Sequence, residues 1–395
     1  MSNKQHTSRI ITIDFLRGIV MIIMALDHTR DYFHQYSYYY DATDLSHTSP
    51  AIFFTRWITH FCAPVFVFLA GTSAYLSGQK KTKKEVSLFL LKRGLWLMLL
   101  ELTIVCFGWF FNPTFSLQAL QVIWVTGISM IVLSLLIYLP LKAIAAIGFL
   151  LIAGHNLLDT THVPGNTVPA FLWSELHEFS VFHTNSLIIL AAYPIIPWVG
   201  VMALGYCFGV YYVSGYKPAD RKKFLLIAGC ISVIIFIALR YSNVYGDPNK
   251  WSAQPSALYT IMSFLNTSKY PPSLLYLLMT IGPAMLFLAF TEQWNGRLVN
   301  IFATYGRVPL FYYLVHIYLL HLLALLAAQL TGFRWTDMII TKTWVTGQES
   351  LKGYGFGLPV VYLVWLLVVI GLYPLCKRYD EYKRMNRAKW WLSYL

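Results

Sequence analysis

Apolar runs of about twenty residues recur along the chain, and runs of that length cross a bilayer as helices. Ten spans are expected, near residues 10–30, 53–77, 87–111, 118–139, 141–158, 186–213, 224–240, 272–290, 303–330 and 356–376. The runs are too long and too evenly apolar for the short alternating strands of a membrane barrel. The pattern therefore predicts an all-α, polytopic transmembrane helical bundle, one domain over residues 1–395. No internal repeat or low-complexity stretch interrupts it.

Composition agrees, at 57% hydrophobic and 12% charged residues. The net charge of +13 raises nucleic acid as a partner, but the Lys and Arg sit in short loops between spans. The amino-terminal segment, the loops near 78–93, 140–142, 214–223 and 291–307, and the carboxyl tail hold most of them. That asymmetry predicts both termini in the cytoplasm and no nucleic-acid partner. Basic loops such as QKKTKK (79–84) and KPADRKK (217–223) are expected to touch anionic lipid. The opposite loops are longer and aromatic, with Tyr38, Tyr39, Tyr40, Trp173, Trp251, Trp335 and Trp344. Such rings form interfacial belts or platforms on which a sugar stacks. The five cysteines have no paired spacing, so neither a disulfide framework nor a zinc-finger site follows. The first run carries charges and lacks a small-residue cleavage site, which argues against a removed signal peptide.

Those charges are the chemistry-bearing feature. RIITIDFLRGIVMIIMALDHTRDYF (9–33) contains Asp14, Arg17, Asp27 and His28, and ionisable groups within a span are costly and rare. Arg17 and His28 are eleven residues apart, about three turns, which puts them on one face roughly 16 Å apart. A cation near one membrane face and an imidazole near the other suit a long anionic cofactor. His28 is the candidate general base, steadied by a carboxylate from Asp27, Asp31 or Glu101. Arg17 either pairs with Asp14 or clamps phosphate in forked geometry. Gly18 beside it permits close backbone approach, and Arg307 is a second candidate phosphate ligand.

Counting rise per residue brings His60, Glu101 and His316 to the depth of His28 on three other spans. His60 or His316 would steady an oxyanion. Asp31, His34, Arg240 and Lys269 border the far mouth and are candidate acceptor contacts. His155, Asn156 and Asp159 form a polar end to the fifth run. No ligand pair with a catalytic acid has the helical metal-site spacing, and no metal is expected. Walker A, GxGxxG and GxSxG motifs are absent.

The opening RIITIDFLRG (9–18), with Asp27-His28 ten and eleven residues beyond Arg17, resembles the first span of the transmembrane acyltransferase superfamily. TRWITHFCAPVFVFLAGTSAYL (55–76), SKYPPS (268–273), YGRVPLFYYLVH (305–316) and the terminal LYPLC and WWLSYL segments are similar to one branch of it. That branch is the bacterial part of the heparan-α-glucosaminide N-acetyltransferase catalytic-domain family. The resemblance implies a bacterial inner-membrane enzyme taking acetyl from cytoplasmic acetyl-CoA to an amino sugar or glycan on the periplasmic side. It aligns Arg17 with the family's RG motif and His28 with the essential His of the sugar O-acetylating relatives. The heparan enzyme differs, with an amide near the position of Asp27 and its His in the first luminal loop, which would assign the chemistry to His34 or His47. A homo-oligomer is compatible with this reading. The rival class is a proton-coupled small-solute transporter, which would have no reason to bind coenzyme A.

Overall fold

The computed structural model describes residues 11–341, 348–386 and 388–393. Arg9, Ile10, Trp344 and the last two residues of WWLSYL lie outside the described residues. The chain is mostly helical. Helix α1 (Ile11–Phe33) is followed by α2 (Pro50–Trp57) and α3 (Cys62–Gly78), which a 3-10 turn joins into one rod, Pro50–Gly78. Then come α4 (Lys83–Leu100), α5 (Cys106–Phe110), α6 (Val122–Leu136), α7 (Leu141–Gly154) and α8 (Val168–Leu176). Helices α9 (Ile195–Phe208), α10 (Pro218–Ser242), α11 (Ala257–Leu265) and α12 (Leu274–Thr291) lead to α13 (Arg297–Arg307), α14 (Pro309–Leu330) and α15 (Leu358–Met385).

Helix starts follow local chemistry. Ser49 precedes Pro50, and its hydroxyl accepts from the Ile52 amide. Thr82 and Glu85 close a reciprocal capping box at α4. Ser273 caps α12 by accepting from Tyr276 N.

Among the described residues, seven helices are long and apolar enough to cross a membrane. They are Pro50–Gly78, Leu141–Leu158, Ile195–Tyr212, Pro218–Ser242, Leu274–Thr291, Pro309–Leu330 and Leu358–Met385. The other three expected spans are α1, which is too charged, α4 with α5, which a π-helical turn at Glu101–Val105 interrupts, and the short α6. Ile231, Ile234, Leu363 and Ile370 on α10 and α15 are exposed, as a lipid-facing surface requires. The protein is an integral membrane protein.

Two expected boundaries shift because three strands were not foreseen. Leu117–Leu120 (β1), Ser180–His183 (β2) and Ile188–Ala191 (β3) form a sheet in the order β1-β3-β2. The runs near 118–139 and 186–213 thus begin as strands, β1 and β3 pairing in parallel with Leu117 opposite Ile188. The sheet, α8 and α11 lie at one end of the bundle, here the cap end; the other is the base end.

Helix α1 is the axis. It packs on α3, α12, α13, α14 and α15 and is buried along most of its length. Its tightest neighbour is α13: a Cβ on Gly18 would lie 1.8 Å from the Phe302 carbonyl oxygen, and one on Gly306 1.9 Å from that of Asp14. Two glycines let these backbones touch, the small-residue device of helix crossings in membranes. Gly18, expected beside a bound cofactor, serves the α1–α13 contact and is not among the residues lining the two cavities described below.

Candidate active site

The axial position of α1 gives its charged face two cavities instead of one. At the base end, a cavity of about 380 Å³ has Arg17, Ser73, Arg93, Arg307 and Lys383 as polar members of an otherwise mostly apolar lining. At the cap end, one of about 610 Å³ is lined by Asp27, His28, Asp31, Arg56, Lys269 and Tyr270, among others. Met24, Phe66, Val122 and Tyr313 line both. The cavities therefore adjoin at a mostly apolar collar of these four side chains, with Arg17 lining the one and His28 the other from the same helix.

His28 has a defined ring orientation. Its Nδ1 lies 2.8 Å from His316 Nε2, and His316 Nδ1 lies 2.8 Å from the Tyr312 carbonyl. A carbonyl only accepts, so His316 carries its proton on Nδ1 and its Nε2 is the acceptor. His28 then donates through Nδ1, and its basic lone pair is on Nε2. Trp109 meets the His28 ring edge-on at 4.7 Å, and the Trp109 indole N–H donates to the Tyr313 hydroxyl at 3.0 Å. The partner of His28 is thus a second imidazole, not Asp27, Asp31 or Glu101.

Asp27 faces elsewhere because adjacent helix positions diverge. One oxygen accepts from Arg30 at 3.1 Å and the other from Arg56, while Arg30 also reaches Asp31 at 2.5 Å. Asp27 is a buried charge and Asp31 a partly buried one, and each is paired with a guanidinium group, the condition for such charges to be tolerated. Lys269 completes the cationic side, with its ammonium 5.1 Å from the centre of the Tyr270 ring. Partial desolvation would raise the Tyr270 phenol, but the charges of Lys269 and Arg56 outweigh it and hold the group below its ordinary value. Desolvation is likewise outweighed at Asp41, where Arg56 and hydrogen bonds from Thr43 keep the carboxyl low.

The remaining candidates disperse. His60 is buried against the Tyr276 ring at 5.5 Å and lines neither cavity; Thr59, Cys62 and Ala63 face the cap cavity from its segment. Glu101 accepts from the backbone N–H of Trp124 at 3.0 Å, so it caps α6 from outside and does not reach the cavity. His34 is buried beside the cavity and forms a backbone bridge with Phe356. His47 is exposed on the loop, 2.8 Å from Asp44. Arg240 is consumed by structure, donating to the carbonyls of Phe264, Asn249, Ser263 and Asn266 at 2.6–2.9 Å. At the base end Arg17 donates to Ser73 Oγ at 2.9 Å and to the Gly306 carbonyl at 3.2 Å, with Asp14 at 3.4 Å. Arg307 is held by Asp380 at 2.8 Å.

Sequence reasoning missed Arg56, Trp109 and Tyr313. Arg56 stands at the head of a span, where a charge reads as an interface residue; Trp109 and Tyr313 lie in apolar runs where an aromatic ring carries no distinguishing signal.

A model of the family described as heparan-alpha-glucosaminide N-acetyltransferase, catalytic, matches residues 9–238. No curated protein matches the chain. The matched stretch contains Arg17, Asp27, His28, Arg56 and Trp109, whereas Tyr313 and His316 lie beyond it. The family is one of membrane acetyltransferases, and the chain, matched over more than half its length, belongs to it.

Proposed function

We propose that the protein transfers acetyl from acetyl-CoA, entering at the base cavity, to an amino-sugar or glycan acceptor in the cap cavity. The observation that carries this is the pair of cavities meeting at one collar between Arg17 and His28. The basic part of the base cavity's lining suits the phosphates of the donor nucleotide, with Arg17, Arg93, Arg307 and Lys383 as ligands. Its apolar depth suits the slender pantetheine arm, which would bring the thioester to Tyr313. The cap cavity mixes Tyr39, Tyr40, Tyr193 and Tyr270 with Asp31 and Lys269, a lining suited to a polyhydroxylated ring.

In this reading His28 Nε2 takes a proton from the acceptor amine or hydroxyl as that atom attacks the thioester carbonyl. A new N–C or O–C bond forms, the C–S bond breaks, and the proton passes from His28 to the departing sulfur. His316 holds the tautomer and shares the imidazolium charge. The Tyr313 hydroxyl, already an acceptor from Trp109, keeps its own proton for the developing oxyanion, a role worth about 3 kcal/mol for such a donor. The distribution of Lys and Arg supports the base end, both termini included, as cytoplasmic, with α1, α4–α5 and α6 bringing the spans to ten. The acceptor side is then periplasmic and the membrane a bacterial inner membrane.

The test uses purified protein with acetyl-CoA labelled on the acetyl group and glucosamine or short glucosamine-ended glycans. Transfer that His28→Ala abolishes while coenzyme A binding persists supports the proposal. Wild-type protein that binds coenzyme A yet neither transfers nor hydrolyses would count against it. Absence of any coenzyme A binding would favour solute transport instead.

A further inference from the structure

Away from both cavities, at the cap end, three ligand-bearing side chains converge. His155 opens the 3-10 turn His155–Leu158 that ends α7, Asp159 follows one helical turn later, and His177 ends α8. One ligand atom from each lies within 4.8 Å of the others. His155 is 2% exposed, and neither of its ring nitrogens has a hydrogen-bond partner; His177 is 3% exposed, and its Nδ1 has none. Buried polar atoms are nearly always paired, so two neighbouring buried imidazoles, each with an unpartnered nitrogen able to give one ligand atom, point to a missing electrophile. His177 Nε2 sits 3.0 Å from one Asp159 oxygen, and Asn156 donates to the other at 2.9 Å.

We propose that His155, Asp159 and His177 bind one divalent transition-metal ion of the zinc class. Two imidazoles and a carboxylate suit zinc, cobalt or iron(II); magnesium and calcium prefer all-oxygen sites. With bonds of about 2.0–2.1 Å, a tetrahedral site holds its donor atoms roughly 3.3 Å apart, so closure needs a shift on the order of 1 Å. Asn156 orients the carboxylate as an outer partner does in metal sites. Asp159 is only partly buried, which leaves a water position for the fourth ligand.

The ion would be a staple. His177 is followed by Phe179, a wall of the cap cavity, and by β2, which pairs antiparallel with β3 and so positions Leu190. Tying His177 to the end of α7 fixes that wall to the bundle. The sequence predicts no metal because no ligand pair with a catalytic acid has the helical metal-site spacing, a pattern that leaves out His177 at the end of α8.

The experiment takes the full chain in detergent, with any affinity tag removed, strips it with EDTA, and dialyses it against zinc(II) or cobalt(II). The expected results are one equivalent of zinc by elemental analysis, visible d–d absorption with cobalt, and a thermal midpoint that zinc raises and EDTA lowers. The His155→Ala/His177→Ala double variant should lose the absorption, Asp159→Asn should weaken it, and His162→Ala on the exposed loop should leave it intact. Wild-type protein that retains no zinc overturns the proposal, whatever the variants do. So does a folded double variant with unchanged stoichiometry, or equal stabilisation by magnesium. None of these readouts depends on acetyl transfer.

Discussion

His28 Nδ1 and His316 Nε2 are 2.8 Å apart although the residues are 288 positions apart in the chain. The contact links the axial helix α1 to α14, and the Tyr312 carbonyl beneath it settles which nitrogen carries each proton. His316→Ala should therefore lower kcat by about 10²–10⁴-fold, the range for a mispositioned general base. His316→Gln, which can still accept from His28, should recover part of the loss. Coenzyme A affinity, measured in parallel, should not move; equal kcat for all three proteins would remove His316 from the chemistry.

Arg17→Ala should raise the KM for acetyl-CoA by about 10–100-fold, the worth of one or two charge-assisted hydrogen bonds. Arg17→Lys should fall between, since a point charge cannot reproduce the fork. Because Arg17 also ties α1 to Ser73 and Gly306, the thermal midpoint must be read beside the kinetics. Unchanged KM in a folded variant would place the donor elsewhere.

Gly18→Leu and Gly306→Leu should each destabilise the fold by about 3 kcal/mol or more, because any Cβ there overlaps a backbone carbonyl. Loss of detergent-stable monodisperse protein is the readout. A variant that tolerates leucine at both positions would mean that the two backbones do not touch.

Arg240→Ala should act on folding and not on substrate affinity. Four carbonyls lose their donor, and Asp247, 3.8 Å from the guanidinium, loses its counter-charge. A cost of about 3–5 kcal/mol is expected for one side of a buried ionic contact. A folded variant with raised acceptor KM would restore the sequence-based view of Arg240 as a substrate contact.

Burial, reinforced by Arg30, lowers His34 from 6.5 to about 4. The folded state then binds this proton more weakly than the unfolded chain, so stability is full above pH 6.5 and falls as pH drops toward 4. His34→Gln should flatten that part of the thermal-midpoint profile. An identical slope in the variant would show that His34 is not the titrating group.

The first helix was legible in the sequence because charges stand out in an apolar run, and helical rise alone set Arg17 and His28 at opposite ends of it. Depth arithmetic also brought His316 to His28, but it placed His60 and Glu101 there too. Rise along an axis says nothing about rotation around it, and those two side chains point into packing. The same limit hid Tyr313, whose neighbours in FYYLVHIYLL are equally apolar or aromatic. Arg56 was hidden for another reason: at the head of a span a charge normally belongs to the interface, and only Asp27 on a different helix draws it inward. The strands escaped notice because each has four residues, too few for alternation to emerge beside a helical run.

If a metabolic group crosses the membrane as proposed, the collar of Met24, Phe66, Val122 and Tyr313 bears on how a cell keeps its ion gradients meanwhile. In that reading, a mostly apolar ring there is a poor path for hydrated ions and would work as a gasket around the slim donor chain that fills it. On the proposed reaction only two carbons ever traverse the barrier: the nucleotide stays with the cell's own pool, and the sugar never comes inside. Widening the ring, for instance with Met24→Ala and Phe66→Ala together, would then reveal itself as proton leak in sealed vesicles before it did as lost turnover.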